Sequence, residues 1–216
     1  MARGNGRKIG GAGRRGRAAS SSPGEEGRLR AILDAALHAF SRQGFAQTPV
    51  AEVAAAAGVA SGTVIYHFQT KENLLSILAW ECLHLLYRRC SAAAAAAGPG
   101  RDRVRAYVGA YFDYLGEEPD RILLLLKTRP RELSESGQAP GVDILTLWQS
   151  CRRLLADAFR ETRDGHAASP EDQAAALFAH LSGAAWLHLF FGEDLEGMRA
   201  SALRVVETFC PGPGRP

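Results

Sequence analysis

A chain of 216 residues, 46% of them apolar, can bury a core either as one large domain or as a small domain joined to a larger one. No unbroken apolar run approaches the roughly 18 residues of a membrane span, and the N-terminus lacks the apolar stretch of a secretory leader. The expectation is a soluble, cytoplasmic protein with no membrane partner. The formal charge of +3 is unremarkable until it is divided along the chain. Residues 1–24 hold Arg3, Arg7, Lys8, Arg14, Arg15 and Arg17 and no acid, which leaves 20 bases against 23 acids in the other 192 residues. Gly, Ser and Ala separate these bases, so the arm cannot bury enough apolar area to offset its ordering entropy and is expected to be disordered when free. It is either a solvated tail or an arm that binds nucleic acid.

The first helix is predicted from about Glu25 to Gln43, where Leu29, Ile32, Leu33, Ala36, Leu37 and Phe40 form a core-facing stripe and Gly44 ends the run. Arg28 and Arg30 lie near its start; contact of either with a phosphate backbone competes with plain solvation. A short second helix can start with Thr48 as N-cap and Pro49 at its first position, and Gly58 supplies a left-handed turn at its end. Val50, Val53, Ala54 and Ala57 share one face. A third short helix follows from about Ser61 to Phe68, with Val64 and Phe68 four apart and able to enter the same small core. This layout is that of a helix-turn-helix.

Within it, AFSRQGF on the first helix, then AEVAAAAGVASGTVIYHF, then TKENLL resemble the DNA-binding domain of the tetracycline-repressor (TetR) family from about Leu29 to Leu78. The resemblance implies a double-stranded DNA operator as partner, a homodimer paired through its last two long helices, and a small-molecule effector. It also implies roles for individual residues. Ser61, Gly62, Thr63 and Ile65 match positions that face bases, with Ala51 on the preceding helix; Thr48, Tyr66, His67 and Lys71 match positions that clamp phosphates. Where the family usually writes Ser-Lys-Gly-Thr-Leu-Tyr, this chain has Ala60-Ser61-Gly62-Thr63-Val64-Ile65. No Arg, Lys, Asn or Gln remains among the base-facing positions, so bidentate purine readout gives way to the hydroxyls of Ser61 and Thr63 and to contact of Ile65 with thymine methyls. Either Ala60 or Ser61 can occupy the cap of this helix, and a capping Ser61 would withdraw its hydroxyl from the groove.

The fourth helix begins with Thr70 as N-cap and carries Leu74, Leu75, Leu78, Cys82, Leu85 and Leu86 on one face, as far as Ala97, before Gly98-Pro99-Gly100 breaks it. A rod of this length, roughly 40 Å at 1.5 Å per residue, belongs to both halves of the chain, and in the family it transmits ligand-induced motion. Beyond it the periodicity is helical throughout, with no strand. The predicted segments are one bearing Tyr107, Val108, Tyr111, Phe112 and Leu115, a short apolar one over Ile122–Leu126, one from about Asp143 to Arg160, and two over about 171–191 and 194–209. The fold class is therefore all-α: a disordered arm over 1–24, a three-helix helix-turn-helix domain over 25–73, and a larger helical ligand-binding and dimerisation domain over 74–210.

Tyr107, Tyr111, Trp148, Cys151, Phe178 and Trp186 can line an apolar effector pocket or serve as ordinary core. On the last helix, Val206 and Phe209 are expected in the dimer seam. His180 and His188 are eight apart on one helix, but no carboxylate stands at ligand spacing and no H-E-x-x-H or Ser-His-Asp pattern occurs, so neither catalytic residues, a metal nor a cofactor is predicted. Cys82, Cys90, Cys151 and Cys210 form no C-x-x-C pair and read as free thiols. The functional expectation is a sequence-specific homodimeric regulator, a repressor that a small molecule releases from DNA. Its rival is an architectural protein that coats DNA without an inducer.

Overall fold

The computed structural model describes residues 23–128, 143–162 and 168–210. The basic arm lies almost wholly outside these residues. Among them the structure is all-helical: α1 (Pro23–Arg42), α2 (Val50–Ala56), α3 (Ser61–Phe68), α4 (Lys71–Ala96), α5 (Arg101–Glu117), α6 (Pro119–Lys127), α7 (Ile144–Arg160), α8 (Pro170–Phe191) and α9 (Leu195–Phe209).

The stops and starts follow local chemistry. Gly44, Gly58 and Gly192 take φ of 91°, 67° and 72°, a region open to glycine at little steric cost, within two residues of the ends of α1, α2 and α8. Thr70, Asp143, Ser169 and Asp194 cap α4, α7, α8 and α9 by accepting from main-chain N–H groups of the first turn. The second helix departs from expectation. Pro49 holds its cap position without a side-chain bond, and the Thr48 hydroxyl instead donates to the Gly44 carbonyl at 2.9 Å.

Two hydrophobic cores result. Ile32, Phe40, Val53, Ala54, Val64 and Phe68 bury the inner faces of α1–α3 against Leu74, Leu75, Leu78 and Cys82 of α4 and Leu124 of α6. Removing a side chain such as Leu or Phe fully from water contributes about 1.5–3 kcal/mol, so the small head depends on the first turns of α4 for much of its core. The larger core takes Leu83, Leu86 and Cys90 from α4 and Ile122 from α6 together with the inner faces of α5, α7, α8 and α9. The long helix therefore contributes to both cores, and a boundary drawn before Leu74 cuts through the head's own packing.

Arg121 is 6% exposed where α6 meets α4 and α5. Its Nε donates to Glu118 Oε2 at 3.1 Å and its Nη1 lies 3.8 Å from Cys82 Sγ, while the Tyr114 hydroxyl donates to the Cys82 carbonyl at 3.0 Å. A buried guanidinium needs such partners to offset lost hydration. Burial pushes the Cys82 thiol up to about 11 despite the neighbouring guanidinium, and all four cysteines are buried and outside any disulfide.

The α8 helix corrects the expectation that no segment is apolar enough to span a membrane. An 18-residue window within Pro170–Phe191 has a mean hydropathy of 1.4, although only 33% of that window is buried. His180, Ser182 and Gly183 interrupt any continuous apolar run, which is why inspection for runs misses it. The helix is apolar around its whole circumference because Leu177, Leu181, Ala184 and Ala185 face the core while Trp186, Leu187, Phe190 and Phe191 face outward.

Candidate DNA-binding surface and effector core

The recognition surface is built by the turn between α2 and α3. The Val59 N–H reaches back to the Ala54 carbonyl at 2.9 Å around left-handed Gly58, and the two helix axes meet at 108°, as in helix-turn-helix units. Ala60, extended at φ −73° and ψ 147°, takes the cap of α3 without a side-chain bond. This resolves the open alternative: Ser61 is the first helical residue and its side chain stays exposed.

With Val64 (1% exposed) and Phe68 (6%) held inside, the 3.6-residue period turns Ser61, Gly62 and Ile65 outward, and Tyr66 is 80% exposed. Thr63 and His67 are half-buried on the flank that faces α1, where Glu25, Arg28, Gly62, Thr63, Tyr66 and His67 line one groove. The Tyr66 and His67 rings meet edge to face at 5.0 Å. Lys71 opens α4 with its ammonium 4.3 Å above the Phe45 ring, which fixes a cation beside the recognition helix. Ala51 is exposed on α2. The surface thus joins seven of the eight residues singled out for DNA, and Thr48 leaves the set. Its side chain is fully buried and its only hydroxyl hydrogen is given to Gly44, so it holds the α1–α2 turn from within.

Arg30 is also accounted for internally, bonded to Glu81 of α4 at 2.6 Å and paired with Asp34 at 3.2 Å, whereas Arg28 remains on the groove. Motif reading overlooks Gln69. Thr70 N–H bonds the Phe68 carbonyl at 2.8 Å across Gln69, whose φ of 65° and ψ of −54° make a tight γ-turn, an uncommon and strained conformation for a residue with a Cβ. Its exposed amide sits directly after α3, and only the turn geometry singles it out.

In the body, Tyr107, Tyr111, Cys151 and Phe178 enter one core, and Trp148 packs edge-on against Phe178 with ring centroids 4.6 Å apart. The Tyr111 hydroxyl donates to the Leu181 carbonyl at 3.2 Å. Tyr107 is 1% exposed and its hydroxyl finds no hydrogen-bonding oxygen or nitrogen; its partner is the weakly polar Cys90 thiol, with Cys151 and Tyr111 nearby. Burial raises the Tyr107 phenol well above its usual range, and it pushes the Cys151 thiol up to about 12. These groups are neutral donors, not reactive nucleophiles. The sequence marks Cys90 only as a free thiol, although its position eight residues after Cys82 on the buried stripe of α4 also places it in this core.

Trp186 does not join this group. It is 44% exposed on the far side of α8, with ring centroids 5.4 Å from Phe190 and 4.9 Å from Phe191. Val206 is likewise displaced from the role expected of it: it is fully buried within its own protomer, while Phe209 packs on Phe159. The histidines are separate. His84 stacks on Trp80, His188 Nδ1 lies 2.7 Å from the Glu193 carbonyl, and burial lowers the pKa of His180. No cluster of three or more potential metal ligands occurs among the described residues.

Residues 32–77, the greater part of the head with the first turns of α4, match the family described as bacterial regulatory proteins, tetR family. The HTH-type transcriptional regulator AcrR of Shigella flexneri is 48% identical over 50 residues, 23% of this chain and 23% of that relative, so the alignment spans about a quarter of the relative's length. Over the whole fold, the fatty acid degradation regulator FadR of Bacillus halodurans superposes with a TM-score of 0.71 at 20% identity, covering 91% of this chain and 100% of the other. FadR of Bacillus subtilis, in complex with stearoyl-CoA, gives 0.66 at 19% identity over 86% and 100%. The sequence match falls on the helix-turn-helix and the fold match runs through the helical body. The helix-turn-helix head is thus a DNA-binding domain of the tetR family's type, and the chain as a whole shares the fold of these regulators.

Proposed function

We propose that the protein is a homodimeric transcriptional regulator that occupies a double-stranded DNA operator as a repressor and leaves it when a small molecule enters the helical body. The observation that carries this reading is the outward row of α3. A head this small has no reason to leave Ile65 (46% exposed) and Tyr66 (80% exposed) in water, unless that face meets a partner. Ser61, Gly62, Thr63 and Ile65 face the bases. Tyr66, His67 and Lys71 supply a phenol, an imidazole and an ammonium to phosphates, fixing register without reading sequence. Because the base-facing set lacks a bidentate donor, discrimination comes from two hydroxyls and from apolar contact with thymine methyls.

An eight-residue helix is about 12 Å long and covers only a half-site, so a second head is needed for a full operator. The outer face of α8 supplies the seam: Trp186, Leu187, Phe190 and Phe191 are 40–64% exposed and adjacent, an apolar surface suited to a second copy of the same helix. The effector reading is supported by the core around Tyr107, where a buried hydroxyl stands ready to donate to an apolar guest bearing an acceptor oxygen. A protein of the same fold with stearoyl-CoA bound supports the capacity of this architecture to admit such a guest.

The test is nuclease footprinting on DNA flanking the protein's own gene. A sharply bounded inverted repeat is expected. Uniform protection, graded only by salt, would replace the regulator with the DNA-coating alternative.

A further inference from the structure

We infer that Lys127 is a positioning residue for the DNA-binding head: it pins the end of α1 to α6 and ties that pin to the aromatic face of α8. The inference rests on the DNA-binding reading above and concerns how the heads are held, not what they touch.

The contact is built by one stripe of α6. Asp120, Leu124 and Lys127 are spaced i, i+4 and i+7 and so share a face, and each meets the head differently. Asp120 lies 3.7 Å from His38 Nδ1 and 3.8 Å from Arg42 Nη2. Leu124, 1% exposed, enters the head's core. The Lys127 ammonium donates to the Ser41 carbonyl at 2.6 Å and the Arg42 carbonyl at 3.4 Å.

Those two carbonyls belong to the last turn of α1, whose final C=O groups have no intrahelical donor. Gln43 and Gly44 N–H groups serve the Ala39 and Phe40 carbonyls just before them. A cation at this end also meets the negative pole of the helix. Lys127 therefore closes α1 from another element. The Thr128 N–H and hydroxyl both bond the Leu124 carbonyl at 2.9 and 2.7 Å, which fixes the end of α6 from which the lysine projects.

The same ammonium lies 5.8 Å from the centroid of the Phe190 ring on α8, within range of a cation–π attraction. Phe190 is part of the outward aromatic face with Trp186 and Phe191. One side chain thus touches the head, the strap helix α6 and the surface assigned to the second copy. An element held this way sets the angle of α1, and with it the separation of the two α3 helices in a dimer. Loss of the pin should loosen the spacing between half-sites before it weakens either head's own grip.

The experiment takes the duplex that the full-length protein enriches from a random pool and compares it with duplexes carrying one base pair inserted or removed between the half-sites. The wild type is expected to bind the altered spacings at least about tenfold more weakly, because a base pair both lengthens and rotates the site. Lys127→Met keeps the stem and removes the donors; it should narrow that preference to about threefold or less while sedimenting as a dimer, and Lys127→Arg should restore it. If Lys127→Met does not fold, Lys127→Gln, which keeps an amide donor on a shorter stem and removes the charge, is expected to narrow the preference in the same direction. A folded variant that discriminates between spacings as sharply as the wild type would overturn the inference while leaving the DNA-binding reading intact. Failure of the wild type to enrich any duplex would overturn that reading, and the inference with it.

Discussion

The outer faces of α3 and α8 both leave large apolar side chains in water, yet they are built in different ways. On α3 the exposed row is Ser61, Gly62, Ile65 and Tyr66, small and polar groups with one branched and one phenolic side chain. On α8 it is Trp186, Leu187, Phe190 and Phe191, with ring centroids of neighbouring side chains 4.9–5.4 Å apart. The first surface suits a hydrated, charged duplex, where hydroxyls and backbone approach count; the second suits a dry protein seam, where aromatic area dominates. Their inner faces differ as well. Val64 and Phe68 anchor α3 in a head that borrows Leu74, Leu75 and Leu78 from α4, whereas α8 sits in a body whose core takes residues from six helices.

The largest expected effect separates the core of the body from its seam. Val206→Asp places a lone carboxylate where no solvent reaches, and should cost roughly 3–5 kcal/mol and melt the body. Phe191→Asp, at a site 64% exposed, should leave the helical circular dichroism intact and yield monomers that bind a full operator poorly. A folded monomer from Val206→Asp, or an intact dimer from Phe191→Asp, would exchange the two assignments.

Removal of residues 1–22 sharpens the electrostatic side of the comparison, because that segment carries six bases and lies outside the described residues. If about half of them meet phosphates or an A·T minor groove, the salt slope falls by two to three units, so the affinity advantage that the segment confers shrinks about thirtyfold between roughly 50 and 200 mM salt. Titration at two salt concentrations on A·T-flanked and G·C-flanked operators reads this directly; identical slopes for both proteins would make the arm a solvated tail. Lys71→Ala is a smaller step. It should weaken all sequences alike and lower the slope by about one unit, and an altered operator preference would show that Lys71 reads bases.

The smallest effect concerns the γ-turn at the end of the recognition helix. Gln69→Gly relieves a positive φ and should raise stability by about 1 kcal/mol. A lower melting temperature would mean that the Gln69 side chain contributes more to the turn than its backbone strain costs.

The head was the more legible half because its determinants are close together in sequence. Pro49, Gly58, Val64, Phe68 and Thr70 set the α2–α3 unit and the start of α4 within 22 residues, and the helix bounds fall within two residues of expectation. Thr48 was misplaced because a threonine before Pro49 looks like a cap, while the competing Gly44 carbonyl is brought near only by the fold. In the body the periodicity gave the helices but not which side faced in. Trp186 and Phe178 are eight apart on α8 and look alike as pocket aromatics, yet one faces solvent and the other the core, and Val206 resembles a seam residue until its neighbours on other helices are known. The Lys127 contact was illegible for the same reason, since it spans 86 residues to Ser41.

The central claim is that α3 reads DNA sequence through Ser61, Thr63 and Ile65 in a two-headed assembly. Its most direct test is selection of bound duplexes from a random pool by the purified full-length protein, repeated with Ile65→Ala. The wild type should enrich an inverted repeat with thymines at matching positions of both half-sites, and Ile65→Ala should lose that thymine preference, about 1 kcal/mol per half-site, while keeping the symmetry. A pool that stays random, with retention governed by salt alone, would contradict it.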